Sequence, residues 1–141
     1  MSTSISIIVY RGQPIDAIKQ RHTALLVSLP DGLESLMHIQ GRSTMFTFEA
    51  RPVRDPEKSP RFLEKIQVAE LKGQTYSEIM AVIGKTPIHN IYSAYNCHNW
   101  IGYALQRLVD KGWITSDERT NGIEAMVDVV VDAPEDYDVE G

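Results

Sequence analysis

The sequence predicts an α+β domain, an antiparallel sheet of about four or five strands followed by C-terminal helices, strands first and helices last. Up to residue 71 the apolar residues come in short, partly alternating runs divided by Gly, Pro and Asp signals. From residue 75 onward they recur at helical spacing behind polar capping residues. No internal repeat interrupts this order, nor does any linker long enough to divide the chain. Residues 1–132 therefore read as a single domain and 133–141 as a frayed acidic C-terminal tail.

Ser4 to Tyr10 alternates and then turns wholly apolar, which predicts a first strand, broken by Arg11-Gly12-Gln13-Pro14. Asp16 to Gln20 has room for one helical turn. His22 to Leu29 predicts the second strand, and Pro30-Asp31-Gly32 is a strong turn signal behind it. Leu36 to Gln40 pairs back and is closed by Gly41-Arg42, and Met45 to Ala50 alternates as the next member of the meander. Asp55 to Pro60 is polar with two prolines and reads as a surface loop. Within the ambiguous stretch from Phe62, Ile66 to Leu71 favours a further strand.

Thr75 to Ile83 starts polar and carries Ile79, Met80 and Ile83, a helix ending at Gly84. Pro87 to Tyr95 is a connection rich in Tyr and Asn. Asn96 is a good N-cap, so Cys97 falls in the first turn of a helix that runs to about Lys111 and stops at Gly112. Ile101, Ala104, Leu105, Leu108 and Val109 give that helix an apolar face and place Cys97 on its core side. Thr115 to Glu118 has the form of a capping box. Ile123, Met126, Val127, Val130 and Val131 then follow at helical spacing, with the run Val129 to Val131 making a strand the competing reading of 120–132.

A length of 141 residues suffices for one core, and 43% hydrophobic with 23% charged residues is an ordinary globular balance. A net charge of −5 without a basic stripe argues against nucleic acid or an anionic membrane as partner. One cysteine excludes an internal disulfide and fits a reducing compartment, so a cytoplasmic address is expected. The N-terminus lacks a charged n-region, and no run approaches the roughly 18 apolar residues of a membrane span, so no signal peptide and no stable membrane insertion are expected.

Cys97 is the one nucleophile candidate that its surroundings favour. At a helix start, free N–H groups and the positive end of the dipole favour a thiolate and can bind a developing oxyanion. The bland reading is a small apolar residue packed in the core. Thiol catalysis needs a base within reach of the sulfur and a group that orients the base. Of the four histidines, His98 follows Cys97 directly and projects about 100° around the helix, which makes it a poor partner. His89 lies in a connection that sets no direction. With the hairpin centred on Asp31, His38 faces Ala24 and His22 is its diagonal neighbour on the same face. A centre shifted by half a residue puts the two on opposite faces.

Tyr92, Tyr95 and Trp100 flank Cys97 and either pack the helix start or line a pocket. Tyr95, Asn96 and Trp100 are the substrate-binding candidates. His22, His38, His89 and Cys97 lack the close spacing of a zinc motif, and Gly32, Gly41 and Gly84 make no phosphate loop, so neither a metal nor another cofactor is expected. Asp55, Glu57, Asp110, Asp117 and Glu118 are scattered over expected surface.

Taken together, His22-Thr-Ala-Leu-Leu-Val on an early strand, an imidazole on the next strand and Asn96-Cys97-His98-Asn99-Trp100 opening a late helix resemble the circularly permuted papain-like cysteine hydrolases. The lecithin:retinol acyltransferase-like branch is similar in its two strand histidines and late Asn-Cys-Glu-His-Phe motif. The PPPDE branch of deubiquitinase- and deSUMOylase-like peptidases is similar in its early His-Thr-Gly-type strand and late Asn-Cys-Asn-His-Phe motif. The resemblance spans about residues 20 to 110. This chain exchanges the His and the polar residue after the cysteine and has Trp100 for the Phe. The Gly-rich segment that follows the early His in PPPDE proteins is missing.

The resemblance implies a permuted papain-like fold with Cys97 as nucleophile, His22 as general base, His38 as the group that orients it and the Cys97 backbone N–H as an oxyanion donor. It implies a hydrolase or acyltransferase, among them thiol proteases, acting through a Cys97 acyl-enzyme on an amide, ester or thioester. The partner would be a peptide or a small acylated substrate. The other reading is a catalytically inactive domain that binds a peptide or small molecule in the same cleft.

Overall fold

A computed structural model of the chain describes residues 2–11, 21–41, 44–90 and 97–132. The strands are β1 (Thr3–Tyr10), β2 (His22–Ser28), β3 (Glu34–Gln40), β4 (Thr47–Val53) and β5 (Phe62–Leu71), and the helices are α1 (Tyr76–Gly84), α2 (Cys97–Asp110) and α3 (Ser116–Asp132). A single 3-10 turn, Pro56–Lys58, interrupts the β4–β5 connection. This is the α+β class that the patterning predicts.

The strands form one antiparallel sheet in the order β4-β3-β2-β1-β5. Four strands follow one another as hairpins, and the fifth returns to the free edge of β1. β5 starts at Phe62, earlier than the expected Ile66, because irregularities opposite Ile5/Ser6 and Val9/Tyr10 let it stay paired along all of β1. β4 runs from Thr47 to Val53 rather than from Met45 to Ala50. It contains Pro52, which an edge strand tolerates because one side of its backbone needs no ladder partner.

Alternation divides the sheet into two apolar faces. Ile5, Ile7, Val9, Leu25, Val27, Met37 and Ile39 point to the helices and join Ile79, Ile83, Ile101, Leu105 and Leu108 in the main core. Ile8, Ala24, Leu26 and Leu36 point the other way, with Tyr10, Val53 and Phe62 packed against them. His22 and His38 share the parity of this second set.

Local chemistry explains the helix ends. Thr75 and Glu78 form a reciprocal capping box at the start of α1. Gly112, with φ 76°, ends α2: its N–H donates to the Val109 carbonyl and that of Trp113 to the Leu108 carbonyl. At α3 the Thr115 hydroxyl accepts the Glu118 N–H (3.0 Å) and the Glu118 carboxylate accepts the Thr115 N–H (2.8 Å). That cap, and the burial of Met126 and Val130 one turn apart, resolve 120–132 as helix despite its β-branched run. Val127 and Val131 of the same stripe are exposed. Among the described residues no helix is long and apolar enough to cross a membrane. The possible turn at Asp16 to Gln20 and the tail 133–141 lie outside the described residues.

The seat of α3 on the sheet depends on a missing side chain. A Cβ on Gly122 would lie 2.9 Å from Val68 Cγ2 and 3.6 Å from Ile7 Cδ1, whereas one on Gly102 would meet nothing nearer than 3.5 Å. Gly102→Ala is therefore expected to raise stability by up to about 1 kcal/mol through helix propensity. Gly122→Ala is expected to lower it by about 1 kcal/mol or more, overpacking outweighing the same gain. Urea unfolding midpoints of the two variants check the contrast.

Candidate active site

The hairpin between β2 and β3 assembles the site. Leu29 N–H donates to the Leu33 carbonyl, the Asp31 carboxylate accepts the Leu33 N–H, and Gly32 supplies the left-handed turn residue with φ 91°. The ladder behind this turn pairs Ser28 with Glu34, Val27 with Ser35, Leu26 with Leu36 and Leu25 with Met37. It is centred on Asp31, and continued outward it sets His38 against Ala24, with His22 on the same face. Of the two registers open to the sequence, the same-face one is realised: His22 Nε2 lies 2.6 Å from His38 Nδ1, the rings edge-on with centroids 4.8 Å apart.

The next ladder adds a member that sequence reasoning missed. β3 and β4 pair His38 directly with Glu49, and His38 Nε2 lies 2.7 Å from Glu49 Oε1. Phe48 and Ala50 pack toward the helices, so Glu49 between them faces the histidines. The alternation of Met45 to Ala50 carried that signal, but it gave no register against β3.

The protonation pattern follows from the donor inventory. The hydrogen bond from His38, aided by the charge of Arg51, holds the Glu49 carboxyl below its usual range against a smaller desolvation effect. Glu49 is thus an acceptor only, and His38 Nε2–H donates to it. Burial pushes His38 below its ordinary value, further than the bond to Glu49 can offset, which keeps the ring neutral and leaves Nδ1 a bare acceptor. His22 Nε2–H donates to that atom. Nδ1 is then the His22 nitrogen left for the hydrogen bond with the sulfur.

Cys97 opens α2 and is buried, with Sγ 3.8 Å from the Arg21 carbonyl oxygen, the acceptor of its S–H in the thiol form. Burial pushes the thiol up, but hydrogen bonds with His22 and His98 and the charges of both rings outweigh it, and the thiol is held well below its usual value. The α2 N-terminus acts in the same direction.

His98 departs from expectation. Its Nε2 lies 3.0 Å from the Arg21 carbonyl, to which it donates, and its ring also bonds Cys97. Burial pulls His98 down, yet the sulfur and the Arg21 carbonyl raise it above its ordinary value. The expectation treated helix side chains as radial spokes. Side chains of a first turn lean back toward the N-terminus, so neighbours can converge there.

Arg21 is the mount for both groups. Its guanidinium is buried and donates to the Val130 carbonyl (2.6 Å) and, less closely, to that of Val129 (3.4 Å), in the last turn of α3. Trp100 is a correction to the substrate-binding set. It is fully buried and packs on Phe48, because it shares the helix face of Ala104 and Leu108. Tyr95 and Asn96, with the proposed N-cap, lie outside the described residues. His89 lies tilted against Tyr103, with ring centroids 5.2 Å apart. Among the described residues no three His, Cys, Asp or Glu side chains converge as metal ligands.

On the second face of the sheet a cleft of about 760 Å³ opens over Tyr10, His22, Leu36 and His38. Its wall includes both strand histidines. Cys97 is not part of that wall; His22, which is, bears on its thiol.

A family model described only as a family of unknown function, DUF6540, matches residues 6–115, well over half of the chain. The chain belongs to DUF6540. No curated protein and no solved structure matches it. The DUF6540 span contains His22, His38, Glu49, Cys97 and His98, and it ends just before α3.

The pH dependence of Cys97 alkylation tests this site. A depressed thiol pKa means that the rate reaches its plateau well below the ordinary thiol value of about 8.5. His22→Ala and His98→Ala each remove an imidazole that favours the thiolate, so each is expected to move the inflection upward. A wild-type inflection at the ordinary value would contradict the assignment.

Proposed function

We propose that the chain is a cysteine-dependent hydrolase or acyltransferase with a permuted papain-like arrangement, acting on an amide, ester or thioester. The observation that carries the reading is the run of side chains His22 to His38 to Glu49, with His22 among the groups that hold the Cys97 thiol below its usual value. Order in the chain supports the permuted arrangement: both strand histidines precede the cysteine, which opens a later helix.

In the first step the S–H proton passes to His22 Nδ1 and the thiolate attacks the substrate carbonyl carbon. A C–S bond forms, and the carbonyl π pair moves to oxygen. The Cys97 backbone N–H, which no preceding helical turn can engage, is a donor for that oxyanion. Collapse breaks the bond to the amine, alcohol or thiol, which takes the proton from His22, and leaves an acyl-enzyme. Water or another acceptor then gives its proton to His22 and attacks the acyl carbon, and the Cys97 thiolate departs. His38 and Glu49 hold His22 in the tautomer that both steps need and spread the positive charge on it.

Cys97 itself is only 8% exposed, and this favours the second reading, a catalytically inactive domain that binds a peptide or small molecule. Incubation with a p-nitrophenyl ester separates the two. The enzyme reading expects a burst of p-nitrophenolate and one acyl group on Cys97 by mass spectrometry. No burst and an unmodified thiol would leave the binding reading.

With a turned-over ester, Cys97→Ser is expected to abolish the reaction and His22→Ala to cost about 10²–10⁴-fold. His38→Ala is expected to cost less. Glu49→Gln, which keeps an acceptor for His38, is expected to retain more activity than Glu49→Ala. Equal losses for the two Glu49 variants would remove the orienting role.

A further inference from the structure

The cleft over His22 and His38 has a charge that the chain as a whole does not. The sequence contains eight arginines in a net charge of −5, and four of them, Arg11, Arg51, Arg54 and Arg61, line this one cleft. Asp55 is the acidic residue of the lining, and it is drawn to Lys58 at 3.6 Å. Glu49 lies 3.8 Å from Arg51 but has an oxygen committed to His38. Arg51 is more than half exposed, and its charge bears on Tyr10, His38 and Glu49 together, which places it over the floor of the cleft. Arg54 makes no ion pair among the described residues.

The concentration has a structural origin. Arg51 stands opposite Leu36 in the β3–β4 ladder, on the face that carries His38. Arg54 follows the end of β4, and Arg11 and Arg61 meet through a backbone hydrogen bond where the ends of β1 and β5 close the other wall. Arginines from three strand ends thus converge on one concavity, where low-dielectric walls concentrate their field. Guanidinium groups suit the planar, bidentate acceptors of carboxylate and phosphate.

We infer that this cleft binds an anionic group, a carboxylate or a phosphate, held by Arg51 and Arg54 with the fields of Arg11 and Arg61 behind them. The inference rests on the reading of Cys97 as acyl acceptor: the anion belongs to the substrate, one imidazole ring from the sulfur. The carbonyl to be attacked and the negative charge are then close together on one molecule. The floor sets the polar groups of Tyr10, His22 and His38 beside the apolar Leu36.

Paired alkylation rates at low ionic strength test this. Cys97 is treated with neutral iodoacetamide and with anionic iodoacetate, in the wild type and in Arg54→Gln. The ratio of the iodoacetate to the iodoacetamide rate is expected to fall about two- to fivefold in the variant, the effect of one exposed charged contact. Inorganic phosphate and succinate are added separately, and the one that slows the wild-type iodoacetate reaction more identifies the preferred anion. An unchanged ratio overturns the inference while leaving the thiol chemistry standing. A thiol inert to both reagents instead overturns the acyl-transfer reading. In that case calorimetric titration with inorganic phosphate and with succinate decides on the cleft: saturable binding weakened in Arg54→Gln upholds the anion site, and equal or absent binding overturns it.

Discussion

The pairing register of β2 with β3 is the constraint on which the site depends. A slip of one residue would turn His38 toward the helices and carry Met37 and Ile39 out of the main core. Each large apolar side chain lost from burial costs about 1.5–3 kcal/mol, and an imidazole without partners among Ile7, Leu25 and Leu105 would cost more. The apolar residues on the helix face therefore enforce the geometry of the polar ones on the cleft face. Turn chemistry at Asp31 and Gly32 points to the same register. Local signal and core packing agree, and the imidazole pair is a by-product of both.

The electrostatics are directional. Glu49 at the partly solvated edge strand accepts, His38 relays and His22 presents a lone pair inward. Exposure falls along this line, from a partly exposed carboxylate through a buried imidazole to a buried sulfur. Burial alone would keep Cys97 a neutral thiol. Two imidazoles and a helix N-terminus reverse that preference. Without those partners the buried sulfur would stay a neutral thiol, so the pairing bears on its reactivity rather than on folding.

Much of this was legible in the sequence because it is encoded locally. The change from strand to helix spacing, the Thr115–Glu118 box, the Gly112 stop and the Asp31-centred hairpin each sit within a few residues. The packing of Trp100 was legible too, since Trp100, Ala104 and Leu108 recur along one helix face. Glu49 was not legible. Its register against His38 passes through an irregular connection that includes Thr44 at φ 67°, and no counting rule spans such a loop. His98 was hidden for another reason: periodicity gives the angle of a side chain about the helix but not its lean along the axis.

Arg21 joins two ends of the molecule through a single residue. Its side chain grips the last turn of α3, while its carbonyl receives the first side chains of α2. The helix that it grips lies beyond the DUF6540 span, whereas the sulfur lies within it. The buried thiol is thereby tied to an element outside the matched span. The same residue that holds the last turn of α3 offers the carbonyl that both Cys97 and His98 contact. The seats of the last helix and of the sulfur are thereby fixed through one residue that belongs to neither helix.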